Sequence, residues 1–341
     1  MRLNEFDQDQ LFKGYYESLL VGNNFSSRMW EVKEKKNPKG TQKLSVANII
    51  IKVKGLSEKA LKANQSIIFK NEILTTNAWG MRDRYYPLKK DNSTLRIAFL
   101  GGSNEMGSGV GDLETYENII EDSLNLREHW LGYDKIEIMN FSVSSIHIPQ
   151  HVGVLEERIL KFKPDVLLYS IHNIETDRSI KSFAQLARKN ILHKYPNLEK
   201  IIKEAGVKKG MKMPEMLALL NPHAMNLIKW GVDQLSLTCK ENNIIPVCLL
   251  AETLGEGKRQ NRAAEAPLLK LFSGNDFHIL NTSGVFGDRD YRTLTISEWD
   301  FHFNVEAHQI IANAIISELD KNTDLINVLK NLKTSKSNTE E

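Results

Sequence analysis

Leu95-Arg96-Ile97-Ala98-Phe99-Leu100, followed at once by Gly101-Gly102-Ser103-Asn104-Glu105-Met106-Gly107, is the stretch on which the fold turns. The first six residues are almost continuously apolar, the texture of a strand covered on both faces. The glycines after it let the chain turn sharply, so a serine is presented at the carboxyl end of the strand. Four further runs share that texture: Ile136–Phe141, Val166–Ile171, Ile244–Leu250 and Phe277–Leu280. Amphipathic stretches lie between them. Thr115–Leu126 follows the acids Asp112 and Glu114, and Gln150–Phe162 stops before Lys163-Pro164, where proline disfavours continuation. A last one sets Ala307, Ile311, Ala314 and Ile315 on one face, with Asn304 as its candidate cap. Strand and helix in alternation predict an α/β fold, a parallel sheet with helices on both sides.

The 341 residues are 41% hydrophobic and 26% charged, the profile of a globular chain long enough for one large domain with additions. Lys+Arg 45 against Asp+Glu 43 leaves a formal charge of +2, which excludes a wholesale nucleic-acid footprint. Cys239 and Cys248 are the only cysteines, too few for a disulfide framework or a cysteine-rich zinc site. No apolar run reaches the ~18 residues of a membrane span. Met1–Leu20 shows no basic start followed by an apolar stretch. The default expectation is therefore a cytoplasmic chain, with envelope association left open.

Residues 1–92 mix aromatics with a basic loop around Lys33–Lys43 and are expected to form an extension packed on the main domain, 93–325. Within it, Asn77–Asp83 should dock through Trp79 and Met81. The connection from Asn173 to Asn243 exceeds one crossover helix and predicts a helical insertion over about 178–240. In residues 181–213 of it, nine Lys/Arg face two acids. These read either as solvated helices or as a cap beside the site that favours anionic substrates or a membrane surface. The polar residues 326–341 are expected to be a disordered tail.

Several loops carry candidate chemistry. A serine at the carboxyl edge of an open α/β sheet lies where such sheets bind ligands, and becomes a nucleophile if a base reaches it. Gly107-Ser108-Gly109-Val110-Gly111 suggests a phosphate cradle, but its spacing is not G-x-G-x-x-G and no Gly-Lys-Ser/Thr follows. Asp112 and Glu114 would repel an anion there, so nucleotide binding is rejected. In Ser297–Asn304, Asp300 stands two residues before His302. An acid so placed can orient an imidazole through one nitrogen and leave the other free; a surface Asp-x-His without a role is the plainer reading. His308 reads as a packing or capping residue. The loops Asn140–Ser145 and Ser170–Asn173 offer N–H groups and an amide to an oxyanion, or are ordinary turns.

Taken together, these blocks in this order resemble the SGNH/GDSL hydrolase superfamily of serine esterases and acyltransferases, in its Gly-Gly-Ser variant. Thr76–Asp83 is similar to a lead-in of bacterial members that accompany envelope or polysaccharide acyl modification. Gly14-Tyr15-Tyr16-Glu17 and Asn24-Phe25-Ser26-Ser27 point to the same subgroup. The resemblance covers roughly residues 76–320. It implies a three-layer α/β/α sandwich around a flavodoxin-like parallel five-stranded sheet. It makes Ser103 the nucleophile, His302 the base, Asp300 its orienting acid and Asn173 the side-chain oxyanion donor. Ser145 stands where a glycine usually offers its N–H.

Three departures stand out: Gly102 for the Asp of the older signature, Ser145 for Gly, and Ile174 where Asp is usual. The last leaves His172 or Glu175 as rival functional residues of that loop. The implied activity is hydrolysis or transfer of a small acyl group, acetyl among the candidates, from an ester or an acylated glycan. A membrane acyltransferase is a candidate partner, and neither metal nor cofactor is implied. The alternative, motivated by positions 145 and 174, is a catalytically decayed binding or adaptor module on the same fold.

Overall fold

Every residue of Thr94–Leu100 is buried, and alternate side chains enter different cores. Leu95, Ile97 and Phe99 join one hydrophobic cluster, while Ala98 and Leu100 join the other. Two-sided burial explains why the strand reads as an unbroken apolar run. The computed structural model describes residues 48–172, 175–189, 191–254, 265–297 and 300–337.

Two antiparallel pairs open the described chain: β1 (Ile50–Lys52) with β2 (Lys59–Leu61), and β3 (Ser66–Phe69) with β4 (Glu72–Thr75). The main sheet consists of β5 (Thr94–Leu100), β6 (Lys135–Asn140), β7 (Val166–His172), β8 (Ile245–Ala251) and β9 (His278–Asn281). These five run parallel in the order β6-β5-β7-β8-β9. That is the 2-1-3-4-5 order of flavodoxin-like sheets, as expected. A last antiparallel pair joins β10 (Thr295–Ser297) to β11 (Asp300–Phe303).

In chain order the helices are α1 (Tyr116–Asn125), α2 (Ile148–Glu157), α3 (Glu175–Leu186), α4 (Pro196–Glu204), α5 (Met213–Leu220), α6 (Ala224–Glu241), α7 (Glu265–Ser273), α8 (Val305–Lys321) and α9 (Thr323–Ser337). Apolar residues of α1, α8 and α9 pack on the Phe99 face, and those of α2 to α7 on the Leu100 face. The sheet is thereby the middle of three layers. Asn304 caps α8, its side chain accepting from the Ala307 N–H at 3.0 Å.

Arg96, the one charged residue of β5, is also fully enclosed. Its guanidinium pairs with Glu137 at 2.7 Å and donates to the carbonyls of Pro87, Leu88 and Phe162. A buried charge paired and hydrogen-bonded in this way is tolerated in a core.

Residues 48–92 do not form a core of their own. Ile49, Leu56, Leu61, Phe69, Leu74, Met81 and Tyr86 all enter the Leu100-side cluster. Trp79 meets Phe162 edge-on at 5.4 Å and its carbonyl accepts from Arg158. The basic loop Lys33–Lys43 and the fragments at 14–17 and 24–27 lie outside the described residues.

The helices between β7 and β8 bury Leu198, Ile202, Met216 and Leu220, while Lys208, Lys209 and Lys212 are exposed. Lys203 and Lys200 pair within their own helix with Glu199 (2.9 Å) and Glu204 (3.8 Å).

The expectation of a disordered tail over 326–341 is corrected for its described part; residues 338–341 lie outside the described residues. Residues 326–337 belong to α9, whose Leu325 and Leu329 are buried, and Tyr133 donates its hydroxyl proton to the Leu329 carbonyl at 3.1 Å. The mean polarity of the segment concealed a stripe at spacing four (Leu325, Leu329), which is enough to dock a helix whose other face is solvated.

Candidate active site

Ser103 follows β5, which lies between β6 and β7, so the serine stands at the switch point of the sheet's carboxyl edge. The turn that presents it is held by Glu105. This fully buried carboxylate accepts from the Gly102 N–H at 2.7 Å through Oε2. Through Oε1 it accepts from Tyr116 Oη (2.9 Å) and Ser170 Oγ (3.0 Å), and meets His172 Nε2 at 3.1 Å. The fold of the turn needs glycine at 101, because a Cβ there would lie 2.3 Å from Glu105 Cγ. Burial works to raise the Glu105 carboxyl, but His172 and the hydrogen bonds outweigh it and hold it far below the usual carboxylate range. Burial likewise lowers the His172 imidazolium, and Glu105 reverses the sign, leaving its pKa raised.

The Asp-x-His loop arrives 199 positions later in the chain, and His302 Nε2 sits 2.8 Å from Ser103 Oγ. His302 Nδ1 bonds Asp300 Oδ1, and Asp300 Oδ1 also accepts from the His302 N–H at 3.2 Å. The two residues belong to β11, and both are buried. The neighbouring Asn104 accepts from the Phe303 N–H at 3.4 Å, stitching the serine loop to that strand.

Sequence reasoning missed Lys70. It occupies the two-residue turn Lys70-Asn71 between β3 and β4, with φ of 55° and 71°. Its ammonium lies 2.6 Å from Asp300 Oδ2 and 3.2 Å from His302 Nδ1. Two short apolar runs flanking Lys-Asn signal a hairpin. Nothing in the sequence names a partner 232 positions away. Burial would raise the Asp300 carboxyl; Lys70 and His302 overcome that and hold it well below the carboxylate range.

Ser145 lies in the loop after β6, adjacent to β5, in the left-handed region at φ 60°. That conformation favours glycine, which accounts for the family's usual residue there. Its carbonyl accepts from Lys59 Nζ at 3.3 Å. Asn173 lies outside the described residues, as does Ile174. Among the described residues, His172 and Glu175 bond to groups other than the serine. His172 goes to Glu105, and Glu175 accepts from the Ile148 N–H (3.2 Å) and Ser179 Oγ (2.7 Å). His308 accepts from the Tyr116 N–H at 3.1 Å, a capping role as read.

The Thr76–Asp83 block braces both site loops. Arg82 donates to the carbonyls of Met106, Gly107 and Val110, behind the serine turn. Asp83 accepts from the Asn140 N–H at 2.7 Å, where the Ser145 loop begins. In the glycine-rich segment, the Gly111 N–H is taken by the Glu114 carboxylate at 2.6 Å, and Asp112 accepts from the Thr75 N–H at 3.0 Å. Among the described residues no group of three or more His, Cys, Asp and Glu could hold a metal ion.

Five parallel strands in flavodoxin-like order between two helical layers make the fold a three-layer α/β/α sandwich, with the serine just past β5 and Asp-x-His just before α8. No family model and no curated protein matches the chain. Among solved structures it is similar to a two-domain esterase active on acetylated mannans (15% identity, 67% of this chain, 49% of that one, TM-score 0.42). This protein thus spans about half of that relative's length. It is also similar to a psychrotrophic esterase from Pseudoalteromonas sp. (14% identity, 68% and 98% covered, TM-score 0.42). A third is an acetylxylan esterase from Geobacillus stearothermophilus (14% identity, 65% and 92% covered, TM-score 0.41).

Proposed function

We propose that this protein is a serine-dependent ester hydrolase or O-acyltransferase acting on a small acyl ester, with an acylated glycan as the substrate class the resemblance implies. The observation that carries the reading is the unbroken relay Ser103 Oγ, His302 Nε2, His302 Nδ1, Asp300 Oδ1. Ser103 attacks the ester carbonyl while its proton passes to His302 Nε2. Asp300 holds the ring so that Nε2 faces the serine, and stabilises the imidazolium that forms. The tetrahedral oxyanion is received by the N–H groups of Ser103 and Ser145 and by the Asn173 amide. Collapse expels the alcohol with the proton held on Nε2. Water, or a second hydroxyl, then repeats the sequence on the acyl-enzyme and frees Ser103.

The test is labelling by a fluorophosphonate together with hydrolysis of p-nitrophenyl acetate. Ser103 should carry the label, and Ser103→Ala should abolish it. A folded wild-type protein that neither labels nor turns over the ester would sink this reading in favour of a decayed module. Asn173→Ala should lower kcat by about 10²–10³, the cost of one oxyanion donor.

A further inference from the structure

We propose that Lys70 is a positioning residue of this site: from the tip of the β3–β4 hairpin it supplies the counter-cation of Asp300, and so keeps His302 neutral with its free lone pair on the nitrogen facing Ser103. The consequence for turnover rests on the esterase reading; the charge arrangement stands on geometry alone.

An ammonium has three donors and no acceptor, and a carboxylate only accepts. Asp300 Oδ2 receives the Lys70 ammonium at 2.6 Å, and Oδ1 is left for His302 Nδ1. Nδ1 must therefore carry the proton, which places the lone pair on Nε2, 2.8 Å from Ser103 Oγ. The ammonium, 3.2 Å from Nδ1, then opposes a second positive charge on the ring. Side-chain exposure of 6% for Lys70, Asp300 and His302 leaves little solvent screening between them. Burial lowers the Lys70 pKa, while Asp300 acts to raise it.

Two further features show the lysine is built in. Its backbone occupies a left-handed turn position usually given to Asn or Gly. The stem packs against Gly109 of the loop after Ser103: a Cβ there would lie 3.2 Å from Lys70 Cδ, as well as 2.4 Å from Ile296 Cδ1.

Among the described residues, the polar groups in hydrogen-bond reach of the His302 ring come from three directions: Lys70 from the hairpin, Asp300 from its own strand and Ser103 from the turn after β5. On α8, His308 has its pKa pushed down to about 3 by burial and then by Arg82, against the opposing pull of Glu105.

The experiment is an NMR titration of the His302 imidazole in the full chain, alongside the pH profile of kcat/KM on p-nitrophenyl acetate. In Lys70→Met the His302 pKa should rise by about one unit or more, as expected when a like charge is removed from beside a buried ring. The acid limb of kcat/KM should move with it, while Lys70→Arg should stay near wild type. Should Lys70→Met fail to fold, Lys70→Gln against Lys70→Arg gives the same contrast of neutral with cationic. An unshifted His302 titration in a cooperatively melting neutral variant overturns the proposal, as does a loss of activity by one common factor at every pH. A shifted titration in a protein that no fluorophosphonate labels supports Lys70 and overturns the esterase reading alone.

Discussion

Two buried carboxylate–imidazole pairs flank Ser103, and they are built differently. Glu105 meets His172 among neutral donors only, the Gly102 N–H, Tyr116 and Ser170, so the imidazole is the counter-cation of that pair. Asp300 meets His302 with Lys70 already on its second oxygen. A carboxylate alone favours a charged ring; a carboxylate whose charge is already matched leaves the ring free to be a base. The first pair suits a brace and the second a proton acceptor. A histidine beside an acid therefore does not define a catalytic site; what else touches the acid does.

The largest expected effect separates the pairs by function. His302→Ala or Ser103→Ala should lower kcat/KM on p-nitrophenyl acetate by about 10⁴ or more with the fold intact. A comparable loss in His172→Gln with unchanged stability would break the distinction.

Glu105→Ala should show the reverse emphasis. Removing one partner of a buried charged pair costs about 3–5 kcal/mol, and here it also strands the Gly102 N–H. Urea denaturation reads this directly. A loss below about 1 kcal/mol would mean that the turn is held by something other than this carboxylate.

The brace should also carry a pH signature. Glu105 has a depressed folded pKa, so its contribution is present above the unfolded value of about 4.3 and is lost as pH falls. His172 has a raised one, so its contribution is full below about 6.5 and is lost as pH climbs through the folded value. The stability gap between wild type and His172→Gln should thus be widest between those limits and narrow by about 1 kcal/mol once pH has climbed through the raised folded value, as a charged hydrogen bond becomes a neutral one. A gap that grows with pH would contradict a charged His172.

The smallest effect concerns charge without burial. Lys208, Lys209 and Lys212 are exposed, so reversing all three should change stability by no more than about 0.5 kcal/mol and leave neutral-ester turnover alone. A selective fall in kcat/KM for an acidic ester, erased by salt, would assign that helical region to recognition.

Much of the frame was legible beforehand because it rests on local chemistry. The central strands β5 and β7 are buried along their whole length, and a strand covered on both faces reads as a nearly continuous apolar run. Ser103, Asp300 and His302 were candidates only through the order of several loop motifs and its resemblance to a known superfamily, since neither Gly-Gly-Ser nor Asp-x-His names a role alone; the structure brings the three side chains together. The α9 helix was not legible, since its apolar stripe is too sparse to show in an average over polar neighbours. Lys70 and Glu105 were not either. A lysine in a hairpin turn reads as solvated, and a glutamate after a serine turn reads as surface, until packing removes the water.

The amino-acid sequence by itself determined the alternation of buried strands and amphipathic helices, and so the parallel sheet, because periodicity is a property of neighbours along the chain. The strand order and the candidate serine, acid and base came from the resemblance of its loop motifs to a known superfamily. The tertiary structure alone decided that residues 48–92 belong to the site. Through Lys59, Lys70, Arg82 and Asp83 they hold the Ser145 loop, the Asp300 carboxylate and the turn behind Ser103. The physical reason is that the strength of a charge contact depends on distance and on the exclusion of water. Neither exists until segments more than 200 positions apart are packed together.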